Sequence, residues 1–324
     1  MKSYWTHPTN GPAALELRDT PIPEPGARQV LVRVRAAGLN RGEFIAGHGL
    51  HGAGAKALGM EAAGEVLKCG AEVTGVRPGA RVMGRCPGAF AEYALMDVRE
   101  ALDVPADLTW DEAASIPLTF LVVYDMLVVQ GRLAADEWLL IAGASSGVGV
   151  AALQTANALG AKVIGTSGSQ GKLDRLKTLG LDLGLCTRTG DFCDAVMKAT
   201  GGNGVNLVVN AVGGSMFAEC VRCLAFEGRL AMVGYVDGVL TSELDLEALH
   251  ARRLRLFGVS NKLRNPEQRA QPVPAFKADV LPLIAAGRIK PVIEQVFGFD
   301  ALAQARALME SNRHLGKIVL AGAG

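Results

Sequence analysis

The run Trp138-Leu139-Leu140-Ile141-Ala142-Gly143-Ala144-Ser145-Ser146-Gly147-Val148-Gly149-Val150-Ala151-Ala152-Leu153-Gln154 constrains the fold of this chain more than any other. Its first residues read as a short buried strand; a turn of small residues follows and opens an apolar helix. N–H groups at such a helix start lack intrahelical acceptors, and the helix dipole adds positive potential, so the turn suits a phosphate. The pattern is a degenerate G-x-G-x-x-G, with Ala144 and Ser146 at the first two glycine positions and Gly149 at the third. The strand before, the helix after and a second strand at Lys162-Val163-Ile164-Gly165-Thr166 supply context that a lone glycine-rich turn lacks. The expected ligand is a dinucleotide.

Around this turn, strand and helix alternate. Strands are predicted at 138–142, 162–166, 183–187, 205–211, 228–234 and 254–259, with helices at 148–159, 170–179, 191–199 and 216–226. Six short strands with helical crossovers imply an α/β fold, a Rossmann doubly wound parallel sheet over 123–260 with its ligand beyond the strand C-termini. Residues 1–122 differ in style. Alternating segments such as 29–36, 64–67 and 80–84, punctuated by Pro21, Pro23, Pro25, Pro78, Pro87 and Pro105, read as a small β-rich domain. Beyond the polar connector 261–266, a helix at 275–286, a strand at 291–297, a helix at 301–311 and a strand at 317–320 are expected to rejoin that domain. A length of 324 residues accommodates two domains.

With 49% apolar residues, 20% charged residues and a net charge of +1, the chain has no basic surplus that would point to nucleic acid or an anionic membrane surface. It has no apolar run of membrane-spanning length, and its first residues lack the apolar core of a signal peptide, so a cytoplasmic protein is expected. Cys69, Cys86, Cys186, Cys193, Cys220 and Cys223 read as reduced core thiols. Cys220-x-x-Cys223 lacks a second pair that would complete four zinc ligands.

NAD-preferring folds place an acid after the second strand to accept from the ribose hydroxyls. Here the stretch is Gly165-Thr166-Ser167-Gly168-Ser169-Gln170-Gly171-Lys172, without one. Hydroxyls, backbone N–H groups and Lys172, with Arg188 beyond the third strand, suit a 2′-phosphate, so NADPH is expected. Ser167 and Ser169 have a second reading as caps of the following helix, a geometry compatible with phosphate binding.

Further motifs lie at Ala37-Gly38-Leu39-Asn40-Arg41-Gly42-Glu43, Leu58-Gly59-Met60-Glu61-Ala62-Ala63-Gly64-Glu65-Val66, Pro117-Leu118-Thr119, Tyr124-Asp125-Met126-Leu127, Asn210-Ala211-Val212-Gly213, Met232-Val233-Gly234-Tyr235 and His314-Leu315-Gly316-Lys317-Ile318-Val319. In their order and spacing the chain resembles the medium-chain dehydrogenase/reductase superfamily, in particular its zinc-independent quinone oxidoreductase (zeta-crystallin-like) branch. The resemblance implies a GroES-like catalytic domain over 1–122, completed by 261–324, a Rossmann domain over 123–260, a cofactor cleft between them and a homodimer. It places Ser145, Ser146, Gly147 and Val148 at the pyrophosphate, and Ser167, Gly168, Ser169, Lys172 and Arg188 around the adenosine phosphate. Asn40, Thr119, Val212, Tyr235, Ser260, Leu315 and Lys317 complete the expected cofactor contacts.

Zinc alcohol dehydrogenases have a Cys ligand where this chain has Asn40 and a His ligand where it has Met60, and the four-cysteine structural loop is absent. Asn and Met do not reproduce a thiolate–imidazole site, so no metal is expected. Without a Lewis acid the acceptor should already be electrophilic: a quinone or an α,β-unsaturated carbonyl receiving hydride from NADPH. Asn40 is a candidate donor to the developing oxyanion or the holder of a turn; Tyr124 is a nicotinamide-side contact or a packed helix residue. His51 is a candidate donor or a surface histidine, a metal pair with His48 being disfavoured without a nearby Cys, and Ile45 replaces a tyrosine common in the branch. Glu61 is a family-position acid or the partner of a buried base. The alternatives are an enoyl-thioester reductase of the same superfamily and a nucleotide-binding protein without turnover. The chain's own start and end argue against a piece cut from a larger synthase.

Overall fold

The computed structural model describes residues 1–7, 14–44 and 55–323, so Ile45, His48 and His51 lie outside the described residues. The chain divides into two compact units: Met1–Leu121 with Lys262–Ala285 and Pro291–Gly324, and Val122–Asn261 with Ala286–Lys290. The first division falls within the helix Pro117–Tyr124. Residues 286–290 belong with the second unit because the Gln154 side chain clamps Lys290. Its Nε2 donates to the Lys290 carbonyl at 2.8 Å and its Oε1 accepts from the Lys290 N–H at 2.7 Å.

The second unit is built on a six-stranded parallel sheet. Across it the strands run Leu183–Cys186, Lys162–Ser167, Trp138–Ala142, Val205–Asn210, Leu224–Met232 and Arg255–Gly258. The chain moves outward through the first three strands, then returns to the middle and proceeds the other way. The order reverses where Val205–Asn210 pairs with Trp138–Ala142, with Asn210 beside Ala142. That switch point aligns the turns after these two strands, the place where doubly wound sheets bind ligands. Leu139, Leu140, Ile141 and Ala142 are fully buried, as continuous apolar strands covered on both faces must be.

Two sequence expectations shift. The helix predicted at 216–226 runs Gly214–Arg222, and a strand already begins at Leu224. A short, mostly apolar run carries no periodicity that separates the two states. The helix predicted at 275–286 is two, Val273–Asp279 and Leu281–Ala285, with Pro282 early in the second, where its missing N–H is tolerated. All six cysteines are free, but Cys186 is exposed and Cys69 only partly covered, so not all are core thiols. Burial raises the thiol pKa values of Cys193, Cys220 and Cys223, which leaves them inert.

The first unit contains a largely antiparallel sheet ordered Ile293–Phe297, Lys317–Ala321, Gln29–Gly38, Glu61–Cys69, Arg81–Arg85, Ala101–Asp103, with Tyr93–Asp97 also pairing Gln29–Gly38. A smaller sheet joins Ala14–Asp19, Lys2–His7 and Lys56–Ala57. Val30, Val32 and Val34 enter a core with Phe90 and Met96, against which Leu302, Ala305 and Met309 of the helix Leu302–Glu310 pack. Lys317–Ala321 lies antiparallel to Gln29–Gly38, with Val319 opposite Gly38, so both chain ends share one sheet. Among the described residues no helix is long and apolar enough to cross a membrane.

Candidate functional site

In the second unit the turn after Trp138–Ala142 is shaped by two glycines. Gly143 has φ 85°, a left-handed conformation that favours glycine. A Cβ on Gly149 would lie 2.6 Å from the carbonyl oxygens of Gly143 and Ala144, so only glycine lets the helix Gly147–Ala158 start this close to the turn. Ser146 caps that helix: its Oγ accepts from the Gly149 N–H at 3.0 Å and donates to the Gly143 carbonyl at 2.9 Å. Its hydroxyl is therefore engaged within the turn. The groups available to an anion are the first-turn N–H groups of Gly147 and Val148, which have no intrahelical acceptor, and the Ser145 hydroxyl, which receives a hydrogen bond from Ser167 at 3.4 Å.

At the end of the second strand, Arg188 lies against Gly168: a Cβ there would be 2.8 Å from the Cγ, Nε and Cζ atoms of the arginine. The glycine thus makes room for the guanidinium beside the strand end. Ser169 occupies the N-cap position of the helix Gln170–Lys177 but makes no side-chain capping bond, so the cap reading of that hydroxyl does not hold. Lys172 follows in the first turn. Arg188 at the strand end and Ser169 and Lys172 at the start of the next helix, with no acid in 165–172, are residue types suited to a dianion.

Val212 follows the fourth strand in a turn held by Asn210, whose Oδ1 accepts from the N–H groups of Val212 and Gly213 at 2.9 and 3.0 Å. Tyr235 and Ser260 follow the fifth and sixth strands and are both exposed. Ser145, Val212, Tyr235 and Ser260 thus lie along the C-terminal edge of one sheet. Thr119 and Tyr124, in the helix Pro117–Tyr124, are each 3% exposed.

The first unit holds a buried polar cluster at one end of its sheet. Asn40 follows the strand Gln29–Gly38, Glu61 opens Glu61–Cys69 and Lys317 opens Lys317–Ala321. Lys317 Nζ donates to Glu61 Oε1 at 2.7 Å and to Asn40 Oδ1 and the Leu39 carbonyl, each at 2.9 Å. Asn40 Nδ2 donates to Glu61 Oε1 and Glu43 Oε1, each at 3.0 Å. The other Glu61 oxygen accepts from the Leu118 N–H at 2.8 Å, at the start of the helix Pro117–Tyr124, where a carboxylate suits the helix dipole. Of the two sequence readings of Glu61, the pairing with a buried base is the one found. Lys317 is turned inward as that base, and Leu315 is 1% exposed.

Glu43 is the site residue that sequence reasoning passed over. Burial above all pushes its carboxyl up to about 8; Asn40 and Lys317 lower it, and Glu61 raises it. Its Oε2 is buried without a hydrogen-bond partner. The signal in the sequence was an acid three residues after Asn40, one turn away, but such an acid is ordinarily an exposed helix-start residue.

Residues 26–106 match the alcohol dehydrogenase GroES-like domain, and residues 147–272 match the zinc-binding dehydrogenase family. A solved NAD-dependent alcohol dehydrogenase is 30% identical with a TM-score of 0.84, over 99% of each chain. The chain belongs to the medium-chain dehydrogenase/reductase superfamily. It is an oxidoreductase of that superfamily. The Escherichia coli quinone oxidoreductase solved with NADPH is 27% identical with a TM-score of 0.89, over 99% of this chain and 100% of that one. The CurK enoyl reductase is 26% identical with a TM-score of 0.83, over 95% of each chain. The polyketide synthase protein NorB of Streptomyces orinoci is 34% identical over 97% of this chain, which spans only 14% of NorB's length.

The family description implies zinc, and the donors found here do not fit it. Asn40 and Met60 stand where a thiolate and an imidazole would be needed, and Glu61 Oε1 already holds an ammonium. Among the described residues no group of three or more His, Cys, Asp or Glu side chains could hold a metal ion.

Proposed function

We propose that this oxidoreductase is a metal-independent, NADPH-dependent reductase of quinones or α,β-unsaturated carbonyl compounds. The observation that carries the reading is Lys317: an ammonium sits among Asn40, Glu61 and the Leu39 carbonyl, in the region where zinc-dependent relatives need metal ligands. Without a Lewis acid to polarise an isolated ketone or ionise an alcohol, the favoured acceptor is one whose conjugation already makes it electrophilic.

NADPH suits the second unit on the chemistry of its residues. The N–H groups of Gly147 and Val148 and the Ser145 hydroxyl would hold the pyrophosphate, with the backbone of Ser146 shaping the turn. Ser167, Gly168, Ser169, Lys172 and Arg188 would surround the 2′-phosphate. In the second unit Val212, Tyr235 and Ser260 are assigned by family position to the nicotinamide side or ribose. When bound, the cofactor supplies the hydride. In the first unit the hydrogens of Lys317 Nζ and Asn40 Nδ2 are engaged within the cluster, so its contribution to a developing oxyanion would be the positive potential of Lys317 rather than a direct hydrogen bond. Tyr124, 3% exposed like Thr119, keeps both readings, a nicotinamide-side contact or a packed helix residue.

Loss of NADPH absorbance on adding a quinone, an enone or an enoyl thioester tests this reading. Turnover of the quinone or enone is expected; tight NADPH binding with turnover of none would overturn it. A second reading, an enoyl-thioester reductase, is favoured by the 34% identity to a polyketide synthase segment. Preference for the thioester over the simple enone would select it.

A further inference from the structure

We propose that Glu43 is a positioning residue that works as a neutral acid, its uncharged carboxyl holding the Asn40 amide in place between Glu61 and Lys317. The inference deepens the proposed reductase reading and, for its catalytic consequence, rests on it. Glu43 closes the short turn Arg41–Glu43, with its N–H donating to the Asn40 carbonyl at 3.1 Å, so its side chain returns toward Asn40. There it is 2% exposed.

Its two oxygens differ. Oε1 accepts from Asn40 Nδ2 at 3.0 Å and therefore acts as the carbonyl oxygen. Oε2 is buried with no partner, so the proton belongs there. A carboxylate in that position would need donors, and among the described residues it has none. A buried neutral hydroxyl costs less than a buried charge.

The surrounding charges agree. From the strand Glu61–Cys69 comes the Glu61 carboxylate, and from Lys317–Ala321 the Lys317 ammonium; among the described residues these are the charged groups acting on Glu43. On its own turn, Arg41 is directed away, to the Met309 carbonyl and Asn312 Oδ1. From the helix Leu302–Glu310, Arg306 lies over the Phe44 ring. With Glu43 protonated, the cluster holds one anion and one cation. With Glu43 ionised, the two Asn40 N–H groups serve two carboxylates beside one ammonium, and the buried cluster carries a net negative charge. The Asn40–Glu43 hydrogen bond then becomes charge-assisted, which shifts the Asn40 amide from the position it holds beside neutral Glu43. Burial pushes the Glu43 carboxyl up to about 8, which puts this change just above neutrality.

The test has two arms on the intact chain. In the first, the Asn40 side-chain amide resonance is followed by NMR from pH 6 to about 9.5, a range that brackets the Glu43 ionisation. In the wild type the resonance should titrate with a midpoint near 8, and in Glu43→Gln it should not move. A resonance that is pH-independent in the wild type, or that titrates alike in both, overturns the proposal. This arm needs no substrate, so it stands apart from the reductase reading. In the second arm, kcat and KM are measured over the same range with whichever acceptor is turned over. The wild-type kcat should fall about tenfold per pH unit above the ionisation, while Glu43→Gln gives a flat profile and Glu43→Ala lowers kcat more than it changes KM. An alkaline limb that persists in Glu43→Gln overturns the positioning role even if the NMR titration is found.

Discussion

Lys317 Nζ lies 2.7 Å from Glu61 Oε1, and the two side chains are 6% and 0% exposed. These residues are 256 positions apart in the chain and meet because each opens a strand at the same end of one sheet. A buried pair is not by itself a source of stability, since desolvation offsets much of the attraction. Removing one partner is different. Lys317→Met leaves the Glu61 carboxylate buried without its cation and should lower the unfolding free energy by about 3–5 kcal/mol. Urea denaturation measures this, and a loss below about 1 kcal/mol would show the pair to be replaceable.

Arg188 and Lys172 should discriminate between the two nicotinamide dinucleotides. Arg188→Ala removes a charge-assisted contact available to a 2′-phosphate and is expected to weaken NADPH binding by roughly 10–100-fold, with little effect on NADH. Lys172→Glu should act in the same direction. Calorimetric titration with both dinucleotides checks the pair of variants; equal losses for the two cofactors would remove the assignment.

Gly149→Ala probes the turn itself. The added methyl would sit 2.6 Å from two carbonyl oxygens, so the helix start must move. Overpacking of this kind costs about 1–3 kcal/mol. Thermal unfolding should register that loss, and NADPH affinity should fall with it, because the N–H groups of Gly147 and Val148 move with the helix. Ser146→Ala, which removes the cap, should cost about 1 kcal/mol.

Stability should depend on pH through Glu43. Its carboxyl ionises at about 8 in the folded chain against 4.5 for the ordinary side chain. The unfolded state therefore loses this proton first as the pH rises. The stabilisation is fully present below about 4.5 and is lost progressively up to about 8, at about 1.4 kcal/mol per unit of difference and a few kcal/mol in all. Denaturation midpoints across this range should fall more steeply for the wild type than for Glu43→Gln; parallel slopes would contradict the assignment.

Much of the second unit was legible from residue order alone. The strand at 138–142 followed by small residues at 143–149 could satisfy its backbone only as a strand–turn–helix, and the spacing of later apolar runs required parallel strands with helical crossovers. The missing acid near 168 was likewise visible as an absence. Boundaries failed where one mostly apolar run served two elements, as at Cys220–Phe226, because so short a run carries no periodicity that separates helix from strand.

The candidate site divides along the same line. Sequence by itself determined the strand–turn–helix at 138–158, whose backbone N–H groups suit a phosphate because their direction follows from local conformation, and the family resemblance set Asn40 and Met60 against the thiolate and imidazole of zinc-dependent relatives. Tertiary structure alone decided what those replacements do. Ser146 closes the turn with its hydroxyl, Arg188 rests on Gly168, and Lys317 becomes the cation of a cluster with Asn40, Glu43 and Glu61. Residue type says what a side chain can donate or accept, but distant strands must be paired before it is known which partner lies within 3 Å and whether water is excluded. For Glu43 that exclusion of water is the whole difference between an ordinary surface acid and a buried one that keeps its proton at neutral pH.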